Sequence, residues 1–244
     1  MSKTLHIMGV PFSTRTMNET LEEITSAAGQ QQSKPFHLIT ANPEIVMKAQ
    51  DDPSLQQIVN EADMITPDGI GIILASRWKG APLPERVTGY ELLLRLLEIG
   101  DRKSWSFYFL GADEATNEKA VSTIRSKYPN VRIAGRQNGF FRPEDEPRIV
   151  AEVKAAAPDF LIVALGAPGA ERWIYKYKAE LNAKVAFGVG GSLDVIAGKV
   201  KRAPVIWQRL NLEWLYRLLA QPSRWRRQLV LPVFAVKAFM DRSK

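Results

Sequence analysis

Hydrophobic and polar positions follow two alternating patterns along the chain. Short apolar runs rich in β-branched and aromatic residues predict strands at 5–10, 36–40, 63–66, 106–111, 131–135, 160–166 and 184–190. Between them, apolar residues recur at helical spacing and predict helices near 17–28, 43–60, 70–78, 89–100, 114–128, 144–156 and 169–180. This alternation predicts an α/β fold with a mostly parallel sheet flanked by helices.

The pattern changes after Gly198. The remaining residues predict two amphipathic helices split by Pro222, and three of the six tryptophans lie there. Residues 199–244 carry eleven Lys and Arg against two acids, whereas residues 1–198 carry 22 basic and 24 acidic side chains. We therefore predict a body, residues 1–198, and a basic, Trp-rich helical C-terminal appendage, residues 199–244. Such an appendage favours nucleic acid, an anionic membrane or a polyanionic substrate as partner.

Composition excludes several classes of protein. The 244 residues contain no cysteine, which excludes a disulfide scaffold, a thiol nucleophile and a cysteine metal site. The two histidines, His6 and His37, lie in predicted strands and are expected to be packed or structural. The N-terminus lacks the features of an export signal, and the longest apolar run of the appendage has eight residues where a spanning helix needs about 20. We expect a cytoplasmic protein.

Three polar segments carry candidate ligand-binding side chains, and two of them directly follow predicted strands, where ligands bind in open α/β sheets. Asn42, in TANPEI, is either a helix cap or a ligand-binding side chain. Asp68, in TPDGIG, can cap the following helix or act as a general base near a sugar hydroxyl. Arg86 precedes a predicted helix start and is either a phosphate clamp or a surface arginine.

The fourth segment is glycine-rich and runs from a strand into a helix. Gly188, Gly190 and Gly191 allow close approach of the backbone to a nucleotide, and Asp194 follows in the helix. Leu193 stands where the Walker loop and the G-x-G-x-x-G motif each require glycine, so neither motif is present. The chain also lacks G-x-S-x-G, H-E-x-x-H and D-x-D.

Taken together in this order, the motifs resemble the WecG/TagA/CpsF family, which is glycosyltransferase family 26. The resemblance runs from about residue 5 to 240 and is closer to the TagA branch than to the WecG branch. It rests on TANPEI, TPDGIG, VTGYEL, VALGAP, GVGGSLDVIAG, KRAP and LNLEWLYRLLAQPSRWRRQL, of which the last is the most specific.

The resemblance implies a Rossmann-like fold and an inverting, metal-independent enzyme without a cofactor. Such an enzyme transfers N-acetylmannosamine from its UDP donor to undecaprenyl-diphosphate-linked N-acetylglucosamine, in the synthesis of the wall teichoic acid linkage unit. Because that acceptor is a membrane lipid, we expect the basic, Trp-rich appendage to attach the enzyme peripherally to the inner face of the cell membrane and to close the active site. Relatives that use N-acetylmannosaminuronic acid or a hexose share this framework, so the sequence leaves open a different UDP-sugar donor. It also leaves open whether the protein forms a homo-oligomer.

The resemblance also implies roles for individual residues. Asp68 is the candidate general base, which takes the proton from the acceptor 4-hydroxyl. Charge on the diphosphate is offset by four arginines, Arg86, Arg217, Arg224 and Arg227. The sugar and acceptor are expected to contact Thr40, Asn42, Gly69 and Glu171. The nucleotide is expected to contact Gly111, Gly190, Gly191 and Asp194. No metal ligand is expected.

One position departs from the family pattern. The family commonly reads G-x-P-x-Q-E after this strand, whereas this chain has Ala170 in place of the glutamine and keeps Glu171. Because Ala170 has no hydrogen-bonding side chain, we expect weaker sugar binding or a changed substrate. This departure leaves open a catalytically idle member that binds only lipid or nucleotide. The basic appendage leaves open a second alternative, a nucleic-acid-binding protein. The apolar faces of the appendage suit a membrane better than a groove, so no nucleic-acid partner is expected.

Overall fold

The computed structural model describes residues 4–30, 32–210, 212–220 and 225–241. Its strands are β1 Thr4–Ile7, β2 Val10–Ser13, β3 Phe36–Ala41, β4 Met64–Pro67, β5 Ser106–Gly111, β6 Arg132–Gln137, β7 Phe160–Ala164 and β8 Val185–Gly188. The last six form one sheet in the order β4-β3-β8-β7-β5-β6, and every neighbouring pair runs parallel. The mostly parallel sheet expected from the sequence is therefore confirmed.

The central strands are buried on both faces. In β5, Phe107 and Phe109 enter one hydrophobic cluster, while Tyr108 and Leu110 enter another on the opposite face. Successive side chains of a strand point to opposite faces, so a strand covered on both sides must be apolar throughout. This requirement explains the continuous apolar runs of the sequence.

Helices cover both faces of this sheet. They are α1 Met17–Gly29, α2 Pro43–Asp51, α3 Pro53–Asn60, α4 Ile70–Trp78, α5 Gly89–Lys103, α6 Glu114–Lys127, α7 Glu146–Ala156, α8 Gly169–Tyr177 and α9 Ser192–Ile196. The first cluster lies under α1, α5 and α6, and the opposite one lies under α7 and α8. A third cluster joins α2, α3 and α4 to the β3 and β4 end of the sheet.

The predicted strand at 5–10 is wrong, because this segment folds as a hairpin. Strands β1 and β2 pair antiparallel, with Ile7 opposite Val10. The two residues between them, Met8 and Gly9, have φ of 49° and 77°. A two-residue turn with positive φ at both positions matches the twist of the strands that it joins.

The predicted helix at 43–60 is divided in two. The Asp52 carboxylate accepts hydrogen bonds from the backbone N–H groups of Ser54 and Leu55, and so caps α3. Pro53 follows as the first residue of α3, where its missing N–H costs nothing. A new helix therefore begins at this point.

The C-terminal appendage contains shorter helices than the two predicted. The described ones are α10 Val205–Arg209, α11 Glu213–Ala220, α12 Trp225–Gln228 and α13 Val230–Met240. Pro222, the predicted break, lies outside the described residues, between α11 and α12. The helical character of the appendage is confirmed.

Helix α13 packs into the body rather than beside it. Phe234 is 1 % exposed and Ala238 is 2 % exposed, and both belong to the cluster formed by α2, α3 and α4. At the end of α13, the Asp241 carboxylate accepts hydrogen bonds from the Met8 backbone N–H at 2.9 Å and from Lys79 Nζ at 3.0 Å. The boundary at residue 198 stays a prediction, and α13 belongs to the core.

In the part of the chain that the structure describes, we find no helix whose length and apolar character would let it span a membrane.

Candidate active site

Three parallel strands end side by side at the candidate site. In the register of β3 with β4, Thr40 lies opposite Thr66 and Ala41 lies opposite Pro67. Strand β8 pairs with β3 on its other edge. The residues that follow these strands, Asn42 and Asp68 among them, therefore meet at one edge of the sheet, as the sequence predicts.

Asp68 follows β4, and its side chain contacts the first residue of α5. Its backbone N–H donates to the Ala41 carbonyl oxygen at 2.9 Å, and its Oδ2 accepts a hydrogen bond from the Gly89 N–H at 3.3 Å. Gly89 is the first residue of α5, where the helix dipole stabilises an anion. The Asp68 side chain is only half-buried, so its carboxylate can meet a ligand at the sheet edge.

Thr40 lies between α5 and the end of β8. Its hydroxyl donates to the Gly188 carbonyl oxygen at 3.4 Å. A Cβ on Gly89 would lie 2.9 Å from Thr40 Oγ1, so only glycine lets α5 begin this close to the strand. Thr40 and Asp68 therefore flank the same helix start.

Asn42 and Gly69 have clear structural roles. Asn42 Oδ1 accepts from the Ile45 N–H at 3.1 Å, which makes Asn42 the cap of α2. Gly69 has a φ of 122°, a conformation that L side chains rarely adopt, and it precedes α4. The capping interpretation of Asn42 is confirmed, and contact of either residue with a substrate stays a prediction.

Glu171 lies beneath the end of β8. It is 4 % exposed, and its Oε1 lies 2.8 Å from where a Cβ on Gly188 would stand. Its Oε2 has no hydrogen-bond partner among the described residues. Burial raises the pKa of this carboxyl to about 7, against the opposing charge of Lys48. The carboxyl therefore lies below the site surface.

Ala170, where the family has glutamine, is buried in the same place. It is 1 % exposed, and its Cβ lies 3.0 Å from the position of a Cβ on Gly188. The position is therefore next to the end of β8 and to Glu171, but this chain places no polar group there.

Arg86 is not an ordinary surface arginine. The neighbouring Val87 N–H donates to the Pro67 carbonyl oxygen at 3.0 Å, which holds the loop against the end of β4 beside Asp68. The Arg86 side chain is only 18 % exposed, and its Nη1 lies 3.8 Å from Glu213 Oε2 in α11. The structure therefore brings Arg86 and the appendage to the strand end that carries Asp68.

The structure does not test the three arginines expected from the appendage. Arg224 lies outside the described residues. Arg217 and Arg227 belong to α11 and α12, but their side chains are outside the described part of the chain. Their roles stay predictions.

The backbone conformation and packing at position 111 explain why this residue is glycine. Its φ is 120°, and a Cβ there would lie 2.4 Å from the carbonyl group of Ala164, so the close approach of β5 and β7 requires glycine. Gly190 and Gly191 follow β8 and lead into α9, which carries Asp194. Contact of these residues with a nucleotide stays a prediction.

Lys199, which the sequence did not single out, connects the segment that follows Gly111 with the segment that follows Gly190 and Gly191. Lys199 Nζ lies 2.5 Å from Asp113 Oδ2, at the start of α6, and 3.8 Å from Asp194 Oδ1. The Lys199 hydrogen bond, with those from Thr116, holds the pKa of Asp113 well below its usual range. The sequence placed Lys199 only among the basic residues of the appendage, so its spatial role had no local signal.

Arg202, in KRAP, was also missed as a site residue. Its Nη2 lies 2.5 Å from Glu91 Oε1, and its guanidinium lies over the Tyr90 ring, 4.8 Å from the centroid. Both partners belong to the first turn of α5, so Arg202 links the start of the appendage to the helix whose first N–H donates to Asp68.

The histidines lie away from this edge. His37 is 1 % exposed, and burial lowers its pKa to about 3, so it is a packed neutral residue as expected. His6 is exposed in β1 and is not packed. Within residues 4–241, leaving aside those not described, no three acidic or histidine side chains are grouped so that they could hold a metal ion.

Comparison with known proteins shows to which family the chain belongs. An N-acetylglucosaminyldiphosphoundecaprenol N-acetyl-beta-D-mannosaminyltransferase of Bacillus spizizenii is 39 % identical over 203 residues, which cover 83 % of this chain and 78 % of the relative. The enzyme of the same name from Staphylococcus aureus is 36 % identical over 238 residues, covering 98 % and 93 %. The profile of the Glycosyl transferase WecG/TagA/CpsF family matches residues 5–244. The chain belongs to this family of glycosyltransferases.

Proposed function

We propose that the chain transfers N-acetylmannosamine from UDP-N-acetylmannosamine to undecaprenyl-diphosphate-linked N-acetylglucosamine, with inversion and without a metal. The names of the relatives support the sugar and the lipid acceptor. The observation that carries the proposal is the half-buried Asp68 carboxylate at the start of α5, with Arg86 held at the same strand end. The reaction would contribute to the wall teichoic acid linkage unit.

Asp68 supplies the base. Its carboxylate takes the proton of the acceptor 4-hydroxyl as that oxygen attacks the anomeric carbon of the donor. The bond between this carbon and the UDP oxygen breaks on the opposite face, so the configuration inverts. The Gly89 N–H, which donates to Oδ2, fixes the direction of the carboxylate.

Arg86 supplies positive charge for the leaving group. Negative charge grows on the UDP diphosphate as the glycosidic bond breaks, and a guanidinium held in place stabilises it. The three arginines of the appendage, Arg217, Arg224 and Arg227, add to this charge. Because these groups are cationic, they take the role that a divalent metal has in other nucleotide-sugar transferases.

Two further sets of residues bind the rest of the donor. The nucleotide lies over the two segments that Lys199 connects, in contact with Gly111 of one segment and with Gly190, Gly191 and Asp194 of the other. The sugar lies over the ends of β3, β4 and β8, near Thr40, Asn42, Gly69 and Glu171. Ala170 is buried beside the end of β8 and has no polar side chain, so this chain lacks the amide that the family glutamine provides.

The appendage brings the enzyme to its lipid acceptor at an anionic membrane surface. Large apolar side chains are exposed on its helices and the turns that follow them: Val205, Ile206, Leu210, Trp214, Leu219, Trp225, Leu229, Val233, Val236, Phe239 and Met240. Trp78 of α4 is 44 % exposed and contacts Phe239 edge to face, so the apolar surface extends onto the body. Apolar side chains beside basic residues favour reversible attachment to anionic lipid.

Release of UDP from a panel of UDP-sugars tests the proposal. The acceptor is a short-chain lipid-diphosphate N-acetylglucosamine analogue, assayed with and without EDTA. We expect turnover with UDP-N-acetylmannosamine that EDTA leaves unchanged. Turnover only with another UDP-sugar would show that UDP-N-acetylmannosamine is not the donor. Loss of turnover in EDTA would contradict metal independence. No turnover with any donor, in folded protein, would favour the idle, binding-only alternative.

A further inference from the structure

The loop before α5 and the helix α11 meet through two opposite charges. Arg86 Nη1 and Glu213 Oε2 are 3.8 Å apart, and the two side chains are 18 % and 12 % exposed. A carboxylate this deeply buried is costly unless an opposite charge compensates it. The pair therefore differs from the solvent-exposed ion pairs of the surface, which contribute little.

Each partner is fixed by its own element. Arg86 lies in a loop that is held on one side by the Val87 N–H bond to Pro67, and on the other by Glu85, whose carboxylate accepts from the Met17 N–H at 2.5 Å. Glu213 is the first residue of α11, where the helix dipole favours a carboxylate. The contact therefore joins two ordered segments.

The separation of 3.8 Å leaves part of the guanidinium available. It exceeds the 2.7–3.2 Å of a direct hydrogen bond, so Glu213 attracts Arg86 without forming a forked pair with it. Arginine has five N–H donors, and those not aimed at Glu213 can serve a diphosphate. The same contact places α11, which carries Arg217 one turn later, beside this loop.

We propose that Glu213 is a positioning residue, which orients Arg86 toward the donor diphosphate and holds α11 against the active site. This inference rests on the proposed function for the role of Arg86. A carboxylate in the appendage thus acts on the reaction through an arginine of the body, although it carries the same sign of charge as the substrate.

The kinetic test removes the charge of Glu213 and keeps its shape. Glu213→Gln is expected to lower kcat about tenfold, with a smaller change in KM for the UDP-sugar, and Glu213→Asp to recover part of the loss. In the Arg86→Ala background, Glu213→Gln should have no further effect, since its action passes through Arg86. The matched control is Glu180→Gln, which removes an exposed carboxylate from another part of the molecule. Its rate should equal that of wild type.

Two kinetic results would overturn the proposal. One is a Glu213→Gln variant with wild-type kcat. The other is an equal loss in the wild-type and Arg86→Ala backgrounds, because Glu213 would then act independently of Arg86.

Limited trypsin digestion gives a readout that does not depend on transfer. We expect faster cleavage after the basic residues of α10–α12 in Glu213→Gln than in wild type or Glu180→Gln, because α11 is held less firmly. If no donor is turned over by wild type, the proposed function fails, and this digestion still tests the contact. Equal cleavage of all three proteins would overturn the contact itself.

Discussion

At the scale of single residues, the site separates side chains that face ligand from those that support it. Asp68 and Arg86 are half-buried at the sheet edge, whereas Glu171 is buried beneath it, and burial raises the pKa of Glu171 to about 7. The position of Asp68 was predictable, because residues after neighbouring parallel strands must meet. The burial of Glu171 was not, since it depends on how closely α8 approaches Gly188.

The raised pKa of Glu171 makes stability depend on pH. In the unfolded chain this carboxyl ionises near pH 4.5, whereas in the folded protein it stays protonated up to about pH 7. The stabilisation by the neutral form is thus complete below pH 4.5 and is lost as pH rises through 7, at about 1.4 kcal/mol per pKa unit, or ~3 kcal/mol in total.

Glu171→Gln removes this titration, because an amide stays neutral. We expect the free energy of unfolding of the variant, relative to wild type, to rise between pH 4.5 and 8, as measured by urea denaturation at fixed pH values. His37→Gln, measured alongside, should change relative to wild type only below pH 6.5. A stability difference for Glu171→Gln that is the same at pH 5 and pH 8 would contradict the raised pKa.

At the scale of elements, sequence patterns were most reliable for buried strands. β5 matched its predicted bounds because its continuous apolar run ends at a glycine, and among the helices α4 matched 70–78. The hairpin at β1 and β2 was missed because its two-residue turn, Met8-Gly9, interrupts an apolar run without a polar signal. The division at Asp52 was missed because its cap lies inside a long helical pattern.

The role of α13 was hardest to predict, since apolar residues occur around the whole helix. Phe234 is 1 % exposed in the core, and Phe239 is 71 % exposed on the other side. Only the tertiary structure distinguishes the face that packs on α2 and α4 from the one that meets solvent.

These two phenylalanines separate packing from membrane attachment. Phe239→Ala should leave the free energy of unfolding nearly unchanged and weaken binding to anionic phospholipid vesicles about tenfold, because an exposed apolar side chain is lost. Phe234→Ala should instead destabilise the protein by about 3–5 kcal/mol. Vesicle sedimentation and urea denaturation measure the two effects. Vesicle binding that Phe239→Ala leaves intact would exclude this face from the membrane contact.

At the scale of the whole molecule, the fold brings distant segments to one edge of the sheet. Strand order places β3, β4 and β8 together, and the appendage returns so that Arg202 reaches α5 and Glu213 reaches Arg86. The strand–helix alternation predicted which residues would meet at this sheet edge. It did not predict that the appendage folds back onto the body, because no local pattern encodes contacts between segments this far apart in sequence.

The most direct test of the account is the turnover of Asp68→Asn. We expect kcat to fall about 10³-fold, because the amide cannot take the proton of the acceptor hydroxyl, while the Kd for UDP measured by calorimetry stays unchanged. Asp51→Asn, at an exposed position at the end of α2, is the matched control and should keep the wild-type rate. A kcat for Asp68→Asn close to that of wild type would contradict Asp68 as the base, and with it the proposed mechanism.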